Sequence, residues 1–190
     1  DKTYVAKINL GKKTDTGDLT GQVIASEKVA KNLGSAKIND VLQSFLGKRT
    51  QIPPMFSALK REGKPLYKYA REGIEVERKP RNIEIFDIHL ISYENDIVEF
   101  QSRVSKGTYI RTLGEEIAVA LGTLGHLVSL RRTAIGNFKI EDAIPLEDVN
   151  FDQLIPMRKA LSHLPSIEVD DLVAIDIKNG RSLKLNIDDN

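Results

Sequence analysis

Tyr4, Ala6 and Ile8 alternate with Val5 and Lys7 near the start of the chain, a two-residue period that predicts a strand. Gly11 to Gly21 (GKKTDTGDLTG) is polar and rich in turn formers, so the chain should reverse there before a second strand at Gln22 to Val29. Ser35 reads as the N-cap of a short helix. Its Ile38, Val41, Leu42 and Phe45 recur every three or four residues, and Gly47 ends it. Pro53 and Pro54 remove two amide donors, which keeps Gln51 to Pro54 extended and outside regular structure. Ser57 to Lys60 is predicted as a short strand leading into an Arg61-Glu62-Gly63 turn. Pro65 and Gly73 then bracket a helix over Leu66 to Glu72.

Longer alternations follow at about Asn82 to Ser92 and Ile97 to Val104, joined by Glu94-Asn95-Asp96, and these predict an antiparallel pair. From about Tyr109 to Leu121 the period changes to that of a helix. Ile110, Leu113, Ile117 and Leu121 share one face, and Arg111, Glu115 and Glu116 stand off it. His126 to Ile135 returns to strand. Beyond it, Pro145, Pro156 and Pro165 break the chain into short helices, and Ser166 to Asn190 reads as the start of a separate small unit.

Composition narrows the functional classes. Without Cys there is no disulfide, thiolate catalyst or Cys-ligated zinc, and His89, His126 and His163 lack the spacing that puts two imidazoles on one metal. No apolar run approaches the ~20 residues that span a bilayer, so a soluble chain is expected. Asp1 in place of an initiating Met and the polar end at Asn190 read as the ends of a piece of a longer protein. The net charge of +1 hides a segregation: residues 47 to 81 carry ten Lys or Arg against four Glu, and residues 140 to 190 carry eleven acids against five bases. A basic middle and an acidic tail point to a localised polyanion contact, with a well-solvated face as the bland alternative.

Lys106-Gly107-Thr108-Tyr109-Ile110-Arg111 is the first candidate for chemistry. A strand ends there in Gly and runs into a helix, placing Tyr109 and Arg111 in the first turn at a sheet edge. A cation at that end opposes the helix dipole, so a nearby anion would offset the cost. The alternative is that Arg111 pairs with Glu115 one turn on. Tyr4 lies on a strand, where an aromatic is more often core than catalyst. Tyr67 and Tyr69 among Lys64, Lys68 and Arg71 could stack bases while the cations hold phosphates; alternatively Leu66, Tyr69 and Ala70 form a packed face and Lys68 and Arg71 a wet one. No GxGxxG, P-loop or GxSxG pattern is present.

Four motifs occur in order. The first is Lys2-Thr3-Tyr4 with Leu10-Gly11, Thr14-Asp15-Thr16-Gly17-Asp18 and Gly21. The second is Gln51-Ile52-Pro53-Pro54-Met55-Phe56-Ser57-Ala58-Leu59-Lys60 with Gly63, Leu66, Tyr67, Ala70, Arg71 and Gly73. Ser105-Lys106-Gly107-Thr108-Tyr109-Ile110-Arg111-Thr112 follows, and then Gly125-His126-Leu127 with Leu130-Arg131-Arg132. Together they resemble the TruB family of tRNA pseudouridine synthases over residues 1 to about 165. Leu164-Pro165 and Gly180 are similar, less specifically, to that family's linker into a C-terminal RNA-binding appendage.

The resemblance implies an α+β fold: a mixed, largely antiparallel sheet of the pseudouridine synthase type with flanking helices and a thumb-like basic insertion at about 47–81. It implies a partial catalytic domain over 1–165 and an incomplete appendage over 166–190. The activity implied is conversion of uridine 55 in the tRNA T-loop to pseudouridine, in the cytoplasm, by a monomer using no cofactor and no metal. Tyr4 would stack on the flipped base and move the carbon 5 proton, Tyr109 and Leu130 would line the pocket, and Arg111 would pair with the nucleophilic carboxylate. Lys60, Lys64, Tyr67 and Arg71 of the insertion, with Lys106 and Arg132, would contact the T-arm. The family's nucleophile lies in an upstream Gly-Thr-Leu-Asp-Pro-like stretch, and no such stretch occurs among these residues. The pattern has Asp15 and Asp18 in addition to that nucleophile, so the chain alone is expected to be inactive. The competing expectation is a non-catalytic tRNA-binding or tRNA-folding module.

Overall fold

Ala6, Ile8 and Leu10 put every second side chain of β1 (Lys2–Leu10) into the core, and this strand becomes the axis of the fold. The computed structural model describes residues 1–182. β1 pairs antiparallel with β8 (Ile97–Val104) on one side and β9 (Gly125–Ile135) on the other. β7 (Arg81–Glu94) continues the sheet beyond β8, β4 (Gly47–Gln51) closes that edge, and the two-residue β10 (Phe138–Lys139) closes the other. The order is β10-β9-β1-β8-β7-β4, with each neighbouring pair antiparallel. Asn95 and Asp96 both adopt positive φ, 50° and 61°, in the tight turn that joins β7 to β8.

α1 (Ser35–Gln43) and α3 (Ile110–Ala120) bury their apolar faces in one cluster with the sheet: Ile38 and Leu42 from one, Ile110, Leu113 and Ile117 from the other. Two glycines let α3 close onto the strands. A Cβ on Gly125 would lie 2.6 Å from Ala118 Cβ, and one on Gly114 would lie 3.0 Å from Leu127 Cδ2. Outside the sheet and these helices lie two small ribbons, β2 (Lys12–Thr14) with β3 (Val23–Ser26) and β5 (Lys60–Arg61) with β6 (Lys64–Pro65), the latter leading into α2 (Leu66–Arg71), and a 3-10 turn at Ile140–Asp142.

Several local expectations need correction. The N-cap of α1 is Gly34, and Ser35 is already helical with no capping hydrogen bond from its side chain. The strand expected over Gln22 to Val29 shrinks to the exposed four residues of β3, and the one expected at Ser57 to Lys60 contributes only Lys60. β2 and β4 were not anticipated, because Lys12-Lys13-Thr14 and Lys48-Arg49-Thr50 carry no apolar alternation.

The chain divides into compact units at Asp1–Ala143 and Ile144–Asn190. Among its described residues the second holds two short α-helices, α4 (Met157–Ala160) and α5 (Asp171–Lys178), after two three-residue 3-10 turns at Leu146–Asp148 and Phe151–Gln153. The N-terminus of α5 is capped by the Asp170 carboxylate, which accepts from Val173 N at 2.9 Å. The expected boundary at 165/166 falls inside this unit, and residues 183–190 of the expected appendage lie outside the described residues.

Candidate functional site

Register places the strand residues of the candidate site. Ala6 lies opposite Leu130 and Tyr4 opposite Arg132 across β1 and β9, so Tyr4, Leu130 and Arg132 share the face of the sheet that carries α3. Tyr4 packs partly buried against the core, whereas Leu130 is 48% exposed. Ala118 of α3 lies over Gly125, opposite Leu10, and Gly114 lies over Leu127, opposite Ile8. The helix therefore runs parallel to β1. Four helical residues rise about 6 Å, close to two strand residues, so the start of α3 comes over Ala6 and Leu130 with Tyr4 just beyond. Tyr4 and Leu130 thus lie on the sheet face that α3 covers, Tyr109 and Arg111 stand at the start of that helix, and Lys106 lies exposed on the turn that enters it.

Tyr109 is the N-cap residue of α3 and has no capping side chain of its own. Its main chain is instead held by Gln51, the last residue of β4. Tyr109 N donates to Gln51 Oε1 at 2.8 Å, and Gln51 Nε2 donates to Tyr109 O at 3.2 Å.

Arg111 reaches three partners from the first turn of α3. One guanidinium nitrogen donates to Thr16 O at 2.9 Å and to Asp18 Oδ2 at 3.1 Å, and the other donates to Phe56 O. The anion that offsets its unfavourable place in the helix dipole is therefore Asp18 within this chain. The alternative partner, Glu115, instead lies 3.9 Å from Lys13. Asp18 sits in a polar loop tied to β9 by Leu127 N donating to Gly17 O at 3.0 Å. Its Oδ1 accepts from Thr16 Oγ1 at 2.9 Å, Thr20 N at 3.1 Å and Thr20 Oγ1 at 2.6 Å. Burial pushes the Asp18 carboxyl up, but the hydrogen bonds from Thr20 and Thr16 and the charge of Arg111 outweigh it and hold the group below its ordinary value. Burial does prevail at Glu115 and Glu116 on α3, raising both despite nearby cations.

The excursion between Gln51 and Arg81, which pair as the last rung of β4 and β7, carries eight Lys or Arg, Arg81 included. Two of the cations expected to face RNA are engaged inside it: Lys64 pairs with Glu72 and lies 4.5 Å from the Tyr69 ring centre, and Arg71 lies 5.5 Å from that of Tyr67. Lys60 instead lines a cleft of about 360 Å³ with Arg61, Arg78, Lys79 and Arg81, over an apolar floor of Pro53, Leu59 and Leu66. The last four of those cations were not singled out from sequence, although the charge count had included them. Arg78 donates to Pro53 O at 3.2 Å and to Glu75 Oε1 at 3.0 Å, and its Nε is buried without a partner. Among the described residues no group of His, Cys, Asp and Glu could hold a metal ion, and no helix is long and apolar enough to cross a membrane.

Known proteins align with this chain over almost its whole length. The model described as TruB family pseudouridylate synthase (N terminal domain) matches residues 1–110, and the one described as tRNA pseudouridylate synthase B C-terminal domain matches residues 111–164. A tRNA pseudouridine synthase B of Azoarcus sp. (strain BH72) is 44% identical over 97% of this chain and 63% of its own length. The protein of the same name from Hydrogenovibrio crunogenus is 45% identical, with 89% and 56% covered, and that from Geobacillus kaustophilus is 43% identical, with 97% and 70% covered. The chain therefore spans roughly half to two thirds of the length of these relatives. Among solved structures, a chain of "Crystal Structure of a Cbf5-Nop10-Gar1 Complex" superposes with a TM-score of 0.68 at 28% identity, covering 96% of this chain and 49% of that one.

Proposed function

The chain belongs to the TruB family of pseudouridylate synthases, and on that footing we propose that the protein it comes from isomerises uridine 55 in the T-loop of tRNA to pseudouridine. The reaction breaks the bond from ribose C1′ to uracil N1, turns the base, forms a bond from C1′ to C5, and moves the C5 proton to solvent while N1 gains one. Nothing is oxidised or reduced, so the chemistry calls for no oxidant or reductant. The target base must leave the folded T-arm, at a cost of a few kcal/mol that contacts elsewhere offset.

Four residues take the pocket roles. Tyr4 stacks on the flipped uracil and serves the C5 proton, Tyr109 and Leu130 bound the base, and Arg111 pairs with the nucleophilic carboxylate. Lys60, Lys64, Tyr67 and Arg71, with Lys106 and Arg132, contact the T-arm. This reading is supported by the register that sets Tyr4 and Leu130 on the sheet face carrying α3, by the position of Tyr109 and Arg111 at the start of that helix, and by the neighbouring excursion with its eight cations.

The 190 residues on their own do not turn over. Asp18 is engaged on both oxygens and held ionised by its donors, which makes it a support for Arg111 and a poor nucleophile. The test uses tRNA carrying tritium at C5 of its uridines. The complete protein should release one tritium per tRNA, and this chain none, while both retain tRNA in a filter assay. Release by this chain would overturn the inactive assignment, and binding without release by the complete protein would favour a tRNA-folding module.

A further inference from the structure

We infer that Gln51 is a positioning residue that ties the RNA-contacting excursion to the uracil pocket by holding the main chain of Tyr109. The inference rests on the reading of Tyr109 as a pocket residue. Gln51 is 2% exposed, and its carboxamide is the only polar part its side chain has. Both ends of that amide are spent on one residue 58 positions away: Oε1 accepts from Tyr109 N at 2.8 Å, and Nε2 donates to Tyr109 O at 3.2 Å. The pair reproduces the rung of an antiparallel sheet with a side chain in place of a strand. It fixes the amide orientation and satisfies the N–H of the N-cap residue of α3, whose carbonyl also accepts from Leu113 N.

Position makes this more than a cap. Gln51 also forms the last rung between β4 and β7 with Arg81, so the chain leaves the sheet immediately after it and returns immediately opposite. Any displacement of the excursion acts on this neck. Five residues further on, Phe56 O accepts from Arg111, so the same segment grips the pocket at a second point. A load on the excursion is therefore passed to Tyr109 and Arg111 through hydrogen bonds, without a moving domain. Asn in place of Gln51 is one methylene too short to make both bonds, and Glu loses the donor and buries a charge beside the Tyr109 carbonyl.

The experiment is single-turnover tritium release by the complete protein at saturating enzyme, with tRNA affinity measured in parallel. For Gln51→Ala the rate should fall about tenfold to a hundredfold, as for a sub-ångström to 1 Å misplacement of a pocket group, while the tRNA dissociation constant stays within about twofold. For Gln51→Glu the rate relative to wild type at the same pH should recover as pH falls, because the protonated carboxyl again accepts from Tyr109 N and donates to Tyr109 O. Because protonating a buried Glu also restores folding stability, the rates are compared only under conditions where circular dichroism shows both proteins fully folded. Wild-type rates in Gln51→Ala, a parallel loss of rate and affinity, or a Gln51→Glu deficit independent of pH would each overturn the inference. A wild-type protein that releases no tritium would overturn the proposed function, and this inference with it.

Discussion

Asp18 and Arg111 show how a charged pair is stabilised at the edge of a core. The carboxylate is only about one-third exposed, and both partners are held by further hydrogen bonds, so the pair is worth more than an exposed bridge. Replacing Asp18 by Asn should cost about 1–3 kcal/mol at neutral pH, the range for a charge-assisted bond whose loss leaves the other charge unpaired. The pH dependence has a definite sign. The native carboxyl lies below the ordinary 3.8, so its stabilisation is complete above that value and is lost as pH falls through the native one. Denaturant titrations should therefore show wild type and Asp18→Asn diverging at neutral pH and converging in strong acid. A gap that stayed constant down to about pH 2 would remove the ionised carboxylate from the account. Sequence showed that Arg111 wanted an anion but not which one, since the partner is 93 residues away in a loop that only the fold brings near. Gln51 was harder still, because nothing local separates a buried amide that holds a main chain from an ordinary strand end.

At the scale of elements, what could be read was what had a period. β1, β7, β8, α3 and β9 follow from apolar alternation or three-to-four spacing, and their bounds fall within a few residues of the expected ones. β4 failed that test because an edge strand of Lys48, Arg49 and Thr50 is held by main-chain bonds to β7 and owes little to buried side chains. The excursion between β4 and β7 has both kinds of residue. Its Leu66 and Val76 are buried, while Lys60, Lys79 and Arg81 face the cleft without an ion-pair partner among the described residues. Lys64 is neutralised by Glu72, so it should contribute less to RNA affinity than the cleft cations. Reversing Lys60, Lys79 and Arg81 to Glu should weaken tRNA binding at low salt by about tenfold or more. It should also lower the slope of log affinity against log salt by about 2–3, since three phosphates would no longer be neutralised by the protein. Reversing Lys64 alone should lower it by less than about 1. Equal slopes in both variants would mean that the cleft does not meet the phosphate backbone.

For the molecule as a whole, burial and charge are distributed unequally along the chain. Among the described residues every apolar side chain of the core lies between Ala6 and Leu127, and the large apolar residues from Ile144 to Ile177, the half-buried Val173 apart, stay exposed, Phe151 at 90% and Leu146 at 88%. The hydrophobic free energy that holds the first unit therefore comes from its own residues. A chain ending at Ala143 should unfold in one cooperative transition by calorimetry, with a midpoint within about 4 °C of the 190-residue chain, the shift that roughly 1 kcal/mol produces in a domain of this size. Loss of the transition, or a fall of about ten degrees or more, would mean that residues after Ala143 complete the core. The prediction separates two kinds of dependence in the proposed enzyme. The sheet, α3 and the neck at Gln51 stand by their own packing, whereas the proposed chemistry turns on Arg111 and the carboxylate it is proposed to pair with.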